Sequence, residues 1–214
     1  MENLIQIVPA VLTDNRAELD KMLAVSATFT DFVQIDIMDG LFVPSQSITF
    51  KDIIDTKTKL KWEAHLMVNN PETYIADFAE AGAEQIIFHY ESTNLHSKII
   101  DMIHNAGLKA GIAINPDTSI EAIEPLTDKL DSVLFMSVIP GFYGSKFIPE
   151  VLNKIREFCQ KYPNVSASID GGIKEDNIKT VASTGVSSIC VGSAVFRQED
   201  PAASFKHLVN ICNS

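Results

Sequence analysis

Short apolar runs alternate with segments of helical spacing eight times along the chain, with no linker or charge run between the units. Polar side chains recur near the ends of the apolar runs. Apolar strands alternating with amphipathic helices pair in parallel. Eight such units predict an α/β protein: a single (β/α)8 barrel of the TIM type, over residues 1–214. An open doubly wound sheet usually has fewer units and a glycine-rich turn after its first strand. Here Val8-Pro9-Ala10-Val11-Leu12-Thr13 holds no glycine.

The first strand is read at 5–12, closed by the capping cluster Thr13-Asp14-Asn15. Leu19, Met22, Leu23 and Val25 give 16–27 helical spacing. The second strand is 31–38, followed by a loop over 40–47 and a short helix over 50–56. The third strand is 62–67, after which Asn70 as cap and Pro71 in the first turn open a helix that ends near Gly82. A strand at 85–89 leads to a helix at 97–105, closed by Gly107, and then to a strand at 108–114. Asn115-Pro116-Asp117-Thr118 turns into a short helix over 120–126, followed by a strand at 132–136 and a loop over 140–144. The remaining units are a helix at 149–161, a strand at 165–169, a turn at Gly171-Gly172 and a helix at 176–183. A strand at 187–191, a turn at Gly192-Ser193 and a helix at 201–212 complete the chain.

Bulk properties narrow the function. A chain of 214 residues that is 46% hydrophobic has ample material for a core. A net charge of -11 lacks the basic footprint that holds a phosphate backbone, so no nucleic-acid partner is expected. A small anionic substrate is compatible with that charge, because local dipoles bind it against the global field. Cys159, Cys190 and Cys212 are far apart and have no metal-type spacing, which suits free thiols in a reducing compartment. The start of the chain carries no basic region of a signal peptide, and no apolar stretch approaches the roughly 20 residues of a membrane span. A cytoplasmic protein with no membrane partner is expected.

The stretch Val33-Gln34-Ile35-Asp36-Ile37-Met38-Asp39-Gly40 is the chemical centre of the sequence. Alternation puts Gln34, Asp36 and Met38 on one face and Val33, Ile35 and Ile37 on the other. Strand three offers Glu63, His65 and Met67 on one face, strand six offers Met136, and strand seven offers Ser166, Ser168 and Asp170. These polar residues are expected to gather at the C-terminal end of the barrel, where such folds carry their sites. Strands two and seven lie three steps apart, about 135° around the ring, so Asp36 and Asp170 face a ligand from different sides. Two carboxyl groups so placed suit proton transfer at a carbon beside a carbonyl, with inversion. Apolar walls from Met38, Met67 and Met136 would separate their pKa values.

The enediolate formed on proton removal needs electrophilic help, and Asp36, His65 and Asp170 are suitable metal ligands. His89 reads as support behind the site or as plain core. His96, His104 and His207 fall on predicted helices and read as surface residues. Gly171-Gly172 and Gly192-Ser193 follow strands seven and eight, where barrels bind phosphate through backbone N–H groups, and Gly144 could add another. Asp39 is assigned to ordering the turn after strand two.

Several ordered motifs resemble the ribulose-phosphate 3-epimerase family. They are Ile35-Asp36-Ile37-Met38-Asp39-Gly40-Leu41-Phe42-Val43-Pro44, His65-Leu66-Met67-Val68, Gly107-Leu108-Lys109-Ala110-Gly111 and Asn115-Pro116-Asp117-Thr118. Met136-Ser137-Val138-Ile139-Pro140-Gly141-Phe142, Asp170-Gly171-Gly172-Ile173 and Val191-Gly192-Ser193-Ala194 extend the likeness to nearly the whole chain. The resemblance implies interconversion of ribulose 5-phosphate and xylulose 5-phosphate, with Asp36 and Asp170 as acid/base pair. It also implies a divalent metal (Zn, Fe, Mn or Co) on Asp36, His65 and Asp170, no organic cofactor, and a homo-oligomer. Met38, Met67 and Met136 would surround the intermediate, and Gly144, Gly172, Gly192 and Ser193 would hold the phosphate.

Three positions depart from the family pattern. Gln34 stands where the family has a fourth metal ligand, a His. Ala10 stands where it has a Ser that meets a substrate hydroxyl, and Tyr143-Gly144-Ser145 replaces a common Gly-Gly-Gln. An epimerase of another ketose phosphate, such as a hexulose 6-phosphate, and a non-catalytic sugar-phosphate binder are the alternatives. A barrel decarboxylase of the Asp-x-Lys type is disfavoured, because Asp36-Ile37-Met38-Asp39 has no Lys.

Overall fold

The computed structural model describes residues 4–56, 58–141 and 145–214. Eight parallel strands close into a barrel in chain order: β1 (Gln6–Val11), β2 (Phe32–Met38), β3 (Lys61–Met67), β4 (Gln85–His89), β5 (Lys109–Ile114), β6 (Ser132–Met136), β7 (Ser166–Asp170) and β8 (Ser188–Val191). The helices outside it are α1 (Arg16–Ser26), α2 (Phe50–Ile54), α3 (Ile75–Glu80), α4 (His96–Asn105), α5 (Ile120–Ile123), α6 (Val151–Lys161), α7 (Ile178–Ala182), α8 (Ser193–Phe196) and α9 (Pro201–Cys212). Among the described residues no helix is long and apolar enough to cross a membrane.

The period of two along each strand separates two apolar layers. Val33, Ile35 and Ile37 face outward into an apolar layer that also holds Leu19, Ile99, Ile155 and Val181 from the surrounding helices. Each such side chain, fully buried, stabilises the fold by roughly 1.5–3 kcal/mol. The opposite positions, among them Val8, Ala10, Ile87, Ala113, Leu134 and Cys190, fill the barrel interior. Gln34 and Asp36 occupy that interior side of β2, as alternation predicts.

Local sequence explains where the elements depart from expectation. Asn70 does not cap a helix with its side chain; its backbone is left-handed (φ 52), and a 3-10 turn over Pro71–Thr73 precedes α3. The segment expected as one helix over 120–126 is α5 followed by a 3-10 turn over Glu124–Lys129. Pro125 has no N–H to continue the α-helical ladder. Gly192-Ser193 is more than a turn, since Gly192 precedes the four-residue α8.

One expectation about the site is corrected. Glu63, Ser166 and Ser168 do not join the C-terminal mouth. They line a cavity at the other end, with Gln6, Lys109 and Ser132 from the beginnings of their strands. Each residue advances a strand by about 3.3 Å, so a side chain two or four positions earlier on the correct face lies well below the site.

Candidate active site

The barrel register assembles the site. Asp36 lies beside His65, Met38 beside Met67, Met136 beside Asp170, and Asp170 beside Cys190 on neighbouring strands. The pocket at the C-terminal mouth is lined by Ala10, Asp36, Met38, Met67, Met136, Asp170, Gly171, Gly172, Gly192 and Ser193. Gln34 and His65 form its fully buried floor. Gly144 and Tyr143 lie outside the described residues.

Two serines pin the strand ends that carry the carboxylates. Ser47 Oγ donates to the Asp36 carbonyl and accepts from the Met38 N–H. Ser137 Oγ donates to the carbonyls of Asp170 and Gly171. Asp39 orders the turn after β2: Oδ1 accepts from the Leu41 and Phe42 N–H groups, and Oδ2 from Asn69.

The floor of the pocket is a continuous polar network. Gln34 Nε2 donates to Asp36 Oδ1 and to Asp170 Oδ2, each at 2.8 Å. Gln34 Oε1 accepts from the Cys190 thiol at 3.1 Å. His65 Nδ1 lies 2.9 Å from Asp36 Oδ1 and 3.8 Å from Asp170 Oδ2. His65 Nε2 meets His89 Nε2 at 2.9 Å, and His89 Nδ1 faces Glu91 Oε2 at 3.3 Å.

Burial and charge set the protonation of these groups. Burial, reinforced by the Asp36 carboxylate, pushes Asp170 up to about 7. Burial alone would lower His65, but its hydrogen bond to Asp36 and the nearby carboxylates outweigh that and raise it. Burial takes His89 down to about 4, so that imidazole is neutral. Burial, with the Asp170, Glu63 and Asp36 carboxylates nearby, pushes the Cys190 thiol well above its ordinary value and keeps its hydrogen in place for Gln34.

The profile of the Ribulose-phosphate 3 epimerase family matches residues 6–196. The chain belongs to the ribulose-phosphate 3-epimerase family. It is 36% identical over 211 residues to the ribulose-phosphate 3-epimerase of Schizosaccharomyces pombe, covering 96% of this chain and 92% of the relative. It is 36% identical to the cytoplasmic isoform from Oryza sativa subsp. japonica, covering 92% of this chain and 89% of the relative. Its fold is shared by the 3-hexulose-6-phosphate synthase from Salmonella typhimurium (TM-score 0.74, 16% identity, 97% of this chain and 98% of that one).

In this epimerase-family barrel, one atom each from Asp36, His65 and Asp170 lie within 4.8 Å of one another. Ligands about 2.1 Å from a tetrahedral metal are separated by about 3.4 Å. The His65 Nδ1 distances of 2.9 and 3.8 Å to the two carboxylates bracket that value. Two carboxylates and an imidazole suit the later first-row divalent metals. The site therefore fits a cation on three ligands. Gln34 becomes a fourth only if its amide turns over, because its nitrogen now faces the carboxylates.

In this epimerase-family chain His89 takes the first of its two sequence-based readings, support behind the site, whereas Cys190 is not foreseen there. Cys190 has the signal of an inward position on β8, two residues before Gly192, but its contact with Gln34 depends on barrel closure. His96, read as a surface residue, is half-buried: its ring stacks on Tyr90 at 4.2 Å, and Nε2 bonds the Tyr90 carbonyl. His104 and His207 are exposed.

Proposed function

We propose that this protein is a ketose-phosphate 3-epimerase that interconverts D-ribulose 5-phosphate and D-xylulose 5-phosphate in pentose phosphate metabolism. One observation carries this reading. Asp36 on β2 and Asp170 on β7 line the same pocket, and each has a carboxylate oxygen 2.8 Å from the same Gln34 nitrogen.

Inversion beside a ketone needs one group to take a proton and another to return one on the opposite face. In one direction the Asp36 carboxylate removes the hydrogen on C3. The electron pair of the broken C–H bond moves into an enediolate over C2 and C3. Protonated Asp170 then delivers its hydrogen to the other face of C3, and the reverse reaction exchanges the roles. An Asp170 pKa of about 7 keeps a share of that acid protonated near neutrality.

Met38, Met67 and Met136 provide polarisable walls for the planar intermediate and limit water around it. A divalent cation (Zn, Fe, Mn or Co) held by Asp36, His65, Asp170 and a turned-over Gln34 would supply electrophilic stabilisation of the charge on the substrate oxygens. Gly172, Gly192 and Ser193 are assigned to the phosphate, as is Gly144 outside the described residues. Gly171 supports that turn at φ 118, a backbone conformation natural to glycine.

The test is exchange at C3 in deuterated solvent. The purified protein should incorporate deuterium into ribulose 5-phosphate and form xylulose 5-phosphate. No exchange with or without added Mn, Fe, Co or Zn would overturn the proposal. Ala10 lines the pocket without a polar side-chain atom, which favours testing a hexulose 6-phosphate in the same panel. A hexulose phosphate that outruns the pentulose would reassign the substrate. Ligand-induced thermal stabilisation without turnover would identify a binder. A cytoplasmic location accords with the name of the rice relative. A homo-oligomer is also proposed, to be read by sedimentation.

A further inference from the structure

We infer that His89 and Glu91 are positioning residues that fix the polarity of His65, so that Nε2 carries a hydrogen bonded to His89 and Nδ1 is the nitrogen presented to Asp36 and Asp170. This rests on the site proposed above but concerns residues behind it. His65 and His89 are both fully buried, so water does not satisfy their ring nitrogens. Each nitrogen instead faces a named partner.

The chain of hydrogen bonds has a direction. Glu91 Oε1 accepts from the Asn115 N–H at 2.8 Å and from the Thr118 hydroxyl. Partial desolvation would raise the Glu91 carboxyl, but those donors, with His89, outweigh it and hold the group below its ordinary range. An ionised carboxylate only accepts, so His89 Nδ1 must donate to Oε2. A neutral imidazole has one donor and one acceptor, which leaves His89 Nε2 as acceptor. His65 must then donate its Nε2–H across the 2.9 Å contact. The reversed tautomers would set a His89 Nδ1 lone pair against the Glu91 carboxylate.

Packing holds this polarity in place. The Phe42 ring lies 4.9 Å from the His89 ring, and the two imidazoles meet edge to edge, with centroids 5.1 Å apart and planes 25° from parallel. The turn that grips Glu91 is itself clamped by Lys154, whose ammonium donates to the carbonyls of Asn115, Pro116 and Thr118. The Asn115-Pro116-Asp117-Thr118 motif thus acts on the site indirectly, through Glu91 and His89.

A neutral His65 so oriented offers a lone pair between two carboxylate oxygens, an arrangement resolved by a proton on Nδ1 or by a metal ion. Partners that orient a metal-binding histidine in this way typically govern affinity by 10–100-fold.

Long-range 15N–1H spectra of the imidazoles test the inference; with five histidines in the chain, assignment is tractable. In the resting wild type, His65 Nε2 and His89 Nδ1 should carry hydrogens. Glu91→Gln keeps its oxygen on the Asn115 N–H and turns its NH2 toward His89. It should invert both tautomers and weaken Mn2+ binding, measured by calorimetry on the substrate-free protein, at least about tenfold. His89→Gln, whose side chain accepts from His65 and donates to Glu91, should retain affinity within about threefold, whereas His89→Leu should lose it. A wild-type His65 with hydrogen on Nδ1 alone, or a folded Glu91→Gln protein with unchanged tautomers and Mn2+ affinity, would overturn the proposal. The spectra need no substrate, so they stand apart from the fate of the epimerase assignment.

Discussion

Cys190 Sγ lies 3.1 Å from Gln34 Oε1 and donates its thiol hydrogen to it. The bond crosses β1, whose small Ala10 lies beside Gln34 in register. It settles which end of the Gln34 amide faces the carboxylates. With Oε1 engaged by the thiol, both Nε2 hydrogens are directed at Asp36 and Asp170. Hydrogen bonds to charged groups contribute about 1.5–3 kcal/mol each, so turning the amide toward a cation means giving up substantial bonding.

Replacing Gln34 therefore separates its two properties. Gln34→Leu removes the shared donor, and Asp170 should titrate at still higher pH, because one lowering influence on its carboxyl is lost. In the direction where Asp170 is the acid, the alkaline limb of kcat/KM against pH should move upward with it, in the reverse direction the acid limb should, and turnover should fall at least about tenfold. Gln34→His offers an imidazole without the need to turn an amide. Its Mn content after gentle purification should exceed that of the wild type.

The two aspartates should differ in partial reactions. General acid–base groups contribute about 10²–10⁴-fold, and either Asp36→Asn or Asp170→Asn should cost epimerisation that much. Asp170→Asn should still exchange the C3 hydrogen of the epimer whose hydrogen faces Asp36, without inverting it. Asp36→Asn should do the same for the other epimer. Proton NMR of each ketose phosphate in deuterated solvent checks both, and equal loss of exchange from both epimers in each variant would contradict a two-face mechanism.

Glu63, at the opposite end of the barrel, gives a stability prediction. Burial raises its carboxyl from 4.5 to about 7, with the Asp170 and Asp36 charges adding to the shift and His65 and Lys109 opposing it. Between those values the native state holds a proton that the unfolded chain has released, so stability falls as pH rises. The loss begins above about pH 4.5, levels off above about pH 7, and reaches at most ~3 kcal/mol. Glu63→Gln should flatten this slope and be more stable than wild type at pH 8, as read by urea denaturation.

Two glycines at positive φ separate backbone strain from collision. Gly82 (φ 89) has nothing within 4 Å of an added Cβ, whereas at Gly171 (φ 118) that atom would lie 2.6 Å from Val138 Cγ2. Gly82→Ala should cost ~1 kcal/mol, or about 2–4 °C in Tm. Gly171→Ala should cost roughly 3 kcal/mol and also displace the Asp170 carboxylate, so catalysis should fall together with Tm.

The sequence by itself determined the barrel, the inward face of β2 and the gathering of Asp36, His65, Asp170 and the three methionines. Those are consequences of strand alternation, unit count and motifs that each sit within a few residues. Tertiary structure decided what closure and register alone can set. It placed Glu63 at the far mouth, although Glu63 shares a face with His65. It joined Gln34 to Cys190 across an intervening strand, and it linked Thr118 to Asp36 through Glu91, His89 and His65. Hydrogen bonds between residues as far apart in sequence as 34 and 190 need distances and directions that only the closed, staggered barrel supplies. Gln34, a departure from the family pattern in the sequence, is in the structure the donor that holds the two carboxylates together.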